Sequence, residues 1–267
     1  MGAMGVACPR KGAIMRKKRI GAVTFDLWDC LFADDTDEPK RAAAGQPPKP
    51  VARRELVHQF LGRHAPIARE IVNLAYDVTD AAFRKVWHDQ HVTWSVRERL
   101  GVLLAGLKRT LPEDEFAELI RLHEEMELEF SPDPAPGALD ALRALHSEYP
   151  LIVVSDAIFS PGRVLRELLR KNGMFECFDG FVFSDEIGRS KPAPEMFQEA
   201  AKAAGCDIES IVHIGDRPHN DIGGPHAVGA RGVLLTVIKN RPLEGHVPDA
   251  VCDDYGKLPA ILKEMNA

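Results

Sequence analysis

The chain has 267 residues, 45% hydrophobic and 28% charged, with a formal net charge of −6. That is enough for one large domain or a domain carrying an insert, and the acidic balance offers no basic face for nucleic acid. No run of about 18 apolar residues provides a membrane span, and five scattered cysteines without a CxxC pair suggest neither a disulfide framework nor a zinc site, which fits a reducing cytoplasm.

Residues 1–18 are small and basic, lack the apolar core of a secretory signal, and open with Met1-Gly2-Ala3-Met4-Gly5 in the manner of an added tag. They read as a disordered extension. From Arg19 to Phe25, Ile20, Ala22, Val23 and Phe25 mark a first buried strand, with Asp26 at its carboxyl end. Ala33 to Pro50 has the composition of a linker or flap. Val51 to Phe130 then reads as four helices, with apolar stripes at spacings of three and four such as Ile67, Ile71, Leu74, Ala75, Val78, Ala82 and Val86. Four helices without a strand form a self-contained insert, closed by the stiff, proline-rich segment Ser131 to Gly137.

Beyond Gly137 helix and strand alternate. Helices are predicted over 137–148, 163–172, 194–204, 221–228 and 257–264, and strands over 151–154, 181–183, 211–214 and 232–237, with a short one near Ala250-Val251. Gly173 and Gly205 stand where left-handed caps would end two of the helices. Alternation with wholly apolar strands predicts an α/β fold, a Rossmann-like parallel sheet with helices on both faces. The organisation expected is an extension at 1–18, an α/β core from 19–32 and 137–267, and a helical cap with linkers at 33–136.

In such sheets the working groups collect at the carboxyl ends of the strands. Asp26, Ser155 and Asp216 each fall at such an end. Together with Lys191 and Asp221 they supply what phosphoryl chemistry needs: a carboxylate nucleophile, a hydroxyl donor, a cation, and an acidic pair for a metal.

Four segments in this order resemble the four motifs of the haloacid dehalogenase superfamily of hydrolases. They are Phe25-Asp26-Leu27-Trp28-Asp29-Cys30-Leu31, Val154-Ser155-Asp156, Gly188-Arg189-Ser190-Lys191-Pro192 through Phe197, and His213-Ile214-Gly215-Asp216 through Asp221. The resemblance runs from about residue 19 to the end and is weakest in the helical insert, which is similar to the family's mobile cap. It implies Asp26 as nucleophile, Ser155 and Lys191 as partners of the transferring group, and Mg2+ held by Asp26, Asp216, Asp221 and the backbone carbonyl of Trp28. The implied activity is phosphatase action on a small phosphorylated metabolite through an aspartyl-phosphate intermediate.

Trp28 departs from the pattern, because the family's phosphatases carry there an Asp that serves as general acid and base. Indole cannot transfer a proton. Three alternatives follow: a 2-haloacid dehalogenase, a phosphonatase-like hydrolase using a cap lysine such as Lys85 or Lys108, or a ligand-binding member with impaired turnover. Asp29 or His58 could stand in for the missing acid. Arg53, Arg54, His58, Trp87, His88 and Trp94 are the candidates for the cap's face of the site.

Overall fold

A computed structural model describes residues 18–267. The expected extension therefore lies outside the described residues except for Lys18. That residue is tied down: its ammonium pairs with Asp207 at 2.9 Å and Glu209 at 3.3 Å.

The first strand, β1 (Ala22–Phe25), is wholly buried. The chain then makes a tight turn through Asp29, whose φ of 54° is left-handed, and enters the two-residue strand β2 (Phe32–Ala33). Six helices follow: α1 (Glu38–Ala43), α2 (Lys49–Gly62), α3 (Arg69–Gln90), α4 (Val96–Gly106), α5 (Glu113–Glu124) and α6 (Met126–Glu129). Four are the predicted ones. The added α1 lies in the segment read as a linker, where Pro at its start and Glu38 in its first turn favour a helix despite the loop-like composition. Ser95 and Glu98 form a reciprocal capping box at the start of α4. Val57, Phe60, Leu61, Val72, Leu100, Leu103 and Leu119 build a separate apolar core inside this helical segment.

The chain returns through β3 (Asp133–Pro134), antiparallel to β2, so one short ribbon marks both ends of the helical segment. After it come α7 (Ala138–His146), β4 (Leu151–Ser155), α8 (Gly162–Lys171), β5 (Gly180–Phe183), α9 (Ser184–Ile187), α10 (Pro194–Ala204) and β6 (Ile211–Gly215). Last are α11 (Gly224–Ala227), β7 (Arg231–Leu235), β8 (Ala250–Cys252) and α12 (Leu258–Met265). The predicted helix over 221–228 is divided: Pro218–Gly223 makes a wider π-helical turn before α11.

The six principal strands are all parallel, in the order β5-β4-β1-β6-β7-β8. Alternate residues of each strand point to opposite faces. Val23, Phe25, Leu151 and Val153 pack with α7, α8 and α12, while Ile152, Val154 and Ile211 pack with α10. The sheet is thus a Rossmann-like α/β sheet. From β1 the chain moves outward first to β4 on one side and later to β6 on the other. That reversal leaves a crevice at the carboxyl end of β1, the usual ligand position in open α/β sheets.

Candidate active site

Asp26 directly follows β1, and its backbone N–H continues the ladder to the Ile214 carbonyl at 2.8 Å. Ser155 ends β4, and Asp216 directly follows β6. Lys191 comes from the loop before α10, and Asp221 from the π-helical turn. Asp26, Asp216 and Asp221 are all buried, and each offers an oxygen within 4.8 Å of the others'. The sequence-derived acidic set therefore meets at one point.

Lys191 Nζ lies 2.8 Å from Asp26 Oδ1 and 2.7 Å from Asp221 Oδ1, with its side chain 2% exposed. Burial alone would lower its pKa, but Asp221, Asp26 and Asp156 outweigh burial and hold the ammonium charged well above its usual range. Burial likewise works against ionisation of Asp221, and Lys191 and His213 reverse it, so that Asp221 stays a carboxylate. Asp221 also accepts from the Arg217 backbone N–H at 2.8 Å. Its side chain is folded against Gly215: a Cβ added there would lie 2.4 Å from Asp221 Cγ. Glycine before Asp216 is thus required by packing at this position.

Asp216 is different. Burial, then Asp26 and Asp221, push its pKa up to about 7, with Arg241 opposing. Its Oδ2 accepts from Arg241 Nε at 2.5 Å, while its buried Oδ1 has no partner. Crowded carboxylates with an unpaired oxygen are the donor set that a hard divalent cation satisfies, so the residues present fit Mg2+. Trp28 is half-buried and lines the same cavity as Asp26.

Several residues here escaped the sequence reading. His213 is wholly buried in β6, with Nε2 3.2 Å from Asp221 Oδ1 and Nδ1 2.7 Å from Thr24 Oγ1. A carboxylate only accepts, so Nε2 carries the proton and Nδ1 accepts from the threonine hydroxyl. Arg241 sits in the loop beyond β7. Asp156, given no role from sequence, accepts from the Lys191 backbone N–H at 2.9 Å and from Asn220 Nδ2 at 3.4 Å. Burial, opposed by Lys191, lifts its pKa to about 7.

The cavity lined by Asp26 and Lys191 measures about 490 Å³ and is walled on the far side by the helical segment. Of the cap candidates, Arg53, Trp87 and His88 line it. Arg54 instead pairs with Asp77 at 2.8 Å, His58 faces the Ile67 carbonyl at 3.1 Å, and Trp94 packs on Phe83. Asp29, proposed as a substitute acid, is 1% exposed and bound by Lys239 Nζ at 2.6 Å and Arg241 Nη2 at 2.9 Å. It is a counter-ion, and neither Asp29 nor His58 lines the cavity. Lys85 and Lys108 are exposed and also stand outside the lining. Lys49 does line the cavity, but Glu127 and Asp37 outweigh its burial and keep it protonated.

The sequence matches the family model described as haloacid dehalogenase-like hydrolase over residues 20–229, most of the chain. The chain belongs to the haloacid dehalogenase-like hydrolases. Among curated members it is 32% identical over 99 residues to pyrophosphatase PpaX of Bacillus cereus (strain AH820), covering 37% of this chain and 46% of that one. It is 34% identical over 103 residues to a glyceraldehyde 3-phosphate phosphatase of Methanopyrus kandleri, covering 37% of this chain and 44% of the relative. The chain thus spans about half the length of the curated relatives it matches. A 2-haloacid dehalogenase from Pseudomonas syringae pv. Tomato DC3000 shares the fold, with a TM-score of 0.67 at 22% identity over 92% of this chain and 99% of the other. In this hydrolase Asp26, Asp216, Asp221 and Lys191 form one buried cluster. Among the described residues no helix is long and apolar enough to cross a membrane.

Proposed function

We propose that this hydrolase is a Mg2+-dependent phosphatase acting on a small phosphorylated molecule, with the helical segment serving as its cap. The observation that carries this reading is the cluster of Asp26, Asp216 and Asp221 with oxygens within 4.8 Å of one another beside the buried Lys191. Asp26, Asp216 and Asp221, with the Trp28 carbonyl, would hold the cation, which when bound neutralises charge on the phosphoryl oxygens.

Asp26 is the nucleophile. Its carboxylate oxygen bonds to phosphorus as the ester oxygen departs, leaving an acyl phosphate on Asp26. Water then cleaves that phosphate and regenerates the carboxylate. Lys191 fixes one Asp26 oxygen and adds positive charge beside the transferring group. The Ser155 hydroxyl, buried at the end of β4 with no protein partner, supplies a donor to a phosphoryl oxygen. Asp156 positions the Lys191 backbone, and the Thr24–His213 pair orients Asp221. Trp28 gives no proton to the leaving group, so substrates whose leaving group is already acidic are favoured.

The test is phosphate release from a panel of phosphorylated metabolites with and without Mg2+. Activity that requires Mg2+ and vanishes in Asp26→Asn supports the proposal; activity that survives Asp26→Asn refutes the nucleophile. One observation, the aromatic Trp28 beside Asp26, favours a second reading, dehalogenation of a 2-haloacid by the same carboxylate. Halide release in EDTA would establish it.

A further inference from the structure

The cap wall of the cavity contains a buried cation whose hydrogen bonds are unmade. Arg53, in α2, is 4% exposed, yet its Nε and Nη2 have no hydrogen-bond partner. Its guanidinium lies 3.7 Å from the ring centroid of Phe159, on the loop just beyond Ser155. Arg99 stacks on the same ring at 4.0 Å, but its donors are used: Nη2 meets Asp80 at 2.7 Å and Nη1 the Ile158 carbonyl at 3.1 Å. Trp87, on the same wall, also has an unpartnered indole N–H. Guanidinium and indole only donate. Burying such donors unpaired is unfavourable, so the wall is incomplete until an acceptor enters.

Of the carboxylates on this lining, Glu127 is the one paired with Arg53. Glu127 Oε1 is 3.9 Å from Arg53 Nη2, beyond hydrogen-bond reach, and lies nearer to Lys49 Nζ at 3.3 Å. Its Oε2 is unpaired. Lys49 is already held by Asp37 at 2.9 Å as well as by Glu127, so an anion entering here is met chiefly by Arg53 and by three unpartnered donor nitrogens, two on Arg53 and one on Trp87. Arg84 and Arg217 further along the lining add to the attraction, and Asp34, Asp35 and Glu38 on the same lining oppose it. The aromatic ring fixes the guanidinium plane and leaves its edge for a forked contact.

We infer that Arg53, with Trp87, binds a second anionic group of the substrate, so the hydrolysed molecule carries a carboxylate or a second phosphoryl group besides the phosphate at Asp26. This rests on the phosphatase reading and narrows it to doubly anionic small molecules.

Three aryl phosphates of matched size test this: 3-carboxyphenyl, 3-phosphonophenyl and the neutral 3-carbamoylphenyl phosphate, each with Mg2+. The wild type is expected to favour one charged ester over the neutral one by about tenfold to a hundredfold in kcat/KM, mostly through KM. Whichever charged arm wins tells carboxylate from phosphoryl recognition. Arg53→Met should cut that preference to about twofold, and Arg53→Lys, which keeps charge without the fork, should retain part of it. Calorimetric binding of the corresponding non-hydrolysable arylphosphonates to wild type and both variants reads the same preference without turnover. If Arg53→Met does not fold, by circular dichroism, Arg53→Lys carries the test. Equal rates and affinities for charged and neutral probes, or a preference unchanged in the variants, overturn the inference. Failure to hydrolyse any ester while the binding preference persists would instead remove the phosphatase reading.

Discussion

Arg241 Nε donates to Asp216 Oδ2 at 2.5 Å, and its Nη2 reaches Asp29 Oδ2 at 2.9 Å. One guanidinium, 32% exposed, therefore neutralises part of the acidic cluster from outside and ties it to the turn after Asp26. Arg241→Met should destabilise the fold by about 2–4 kcal/mol, below the full value for a wholly buried pair because Arg241 keeps some contact with water. The loss leaves three carboxylates with one cation fewer. Added Mg2+ should then stabilise the variant more than the wild type. Urea unfolding with and without Mg2+ measures both quantities, and equal Mg2+ shifts in the two proteins would remove Arg241 from the electrostatics of the cluster.

That arginine marks where sequence reading stopped. Asp26, Ser155, Asp216 and Asp221 were legible because an apolar strand ends in a polar residue, and parallel-sheet topology sends all such ends to one edge. Lys191 was legible through its segment's resemblance. Arg241 lies in a loop of ordinary composition beyond β7, so no period or spacing points to it. His213 sits among Ile211, Val212 and Ile214 and reads as one more strand residue; only the pairing of β1 with β6 brings Thr24 opposite it. The cavity wall contributed by the helical segment was half legible. Arg53 and Arg54 are neighbours on α2, and sequence cannot tell which of two adjacent arginines turns inward. The packing of α2 decides, burying Arg53 and sending Arg54 to Asp77.

In the proposed phosphatase mechanism, Trp28 takes the place of a proton donor to the leaving group. Trp28→Asp should raise turnover of alkyl phosphates by about a hundredfold, while aryl phosphates, whose leaving groups need less help, should gain much less. The same substitution removes a half-buried indole that packs on the main core, so a lower melting temperature should accompany the gain. A leaving-group series assayed in both proteins gives the comparison; parallel changes across the series would show that position 28 does not govern proton transfer.

The Thr24 hydroxyl donates to His213 Nδ1 at 2.7 Å in a wholly buried setting. Thr24→Val keeps the shape and removes the donor, leaving an unpaired ring nitrogen behind Asp221. A loss of about 1–3 kcal/mol is expected, with Thr24→Ser recovering most of it. Thermal unfolding of the three proteins decides, and a Thr24→Val protein as stable as the wild type would mean that the hydrogen bond contributes nothing.

Gly215→Ala tests the packing beneath the acids. The added methyl would meet Asp221 Cγ at 2.4 Å, so Asp221 must move from Lys191, His213 and the Arg217 backbone. Overpacking of this kind costs about 1–3 kcal/mol, and displacement of the carboxylate should lower kcat by more than tenfold. The stability and kcat losses should appear together; a fully active Gly215→Ala enzyme would show that the position of Asp221 is not critical.

His123 should make the helical segment sensitive to acid. It is fully buried against Tyr76, with Nδ1 2.8 Å from the Leu119 carbonyl, and burial, reinforced by Arg53 and Arg99, lowers its pKa to about 3. In the unfolded chain the imidazole titrates near its ordinary value of about 6.5. Between those values the unfolded chain binds a proton that the folded chain refuses. The contribution of His123 is therefore complete above about pH 6.5 and declines as pH falls toward about 3, by up to about 1.4 kcal/mol per pH unit. His213, also lowered by burial, acts with the same sign, whereas Asp156 and Asp216, both raised to about 7, act with the opposite one. The net slope is a sum, so the informative quantity is the stability of wild type minus that of His123→Phe. That difference should fall by about 1.4 kcal/mol per unit as pH drops from 6 to 5, measured by urea unfolding at each pH. A difference that stays constant over that interval would mean that His123 accepts its proton in the folded state, and the segment would then have no acid sensitivity of this origin.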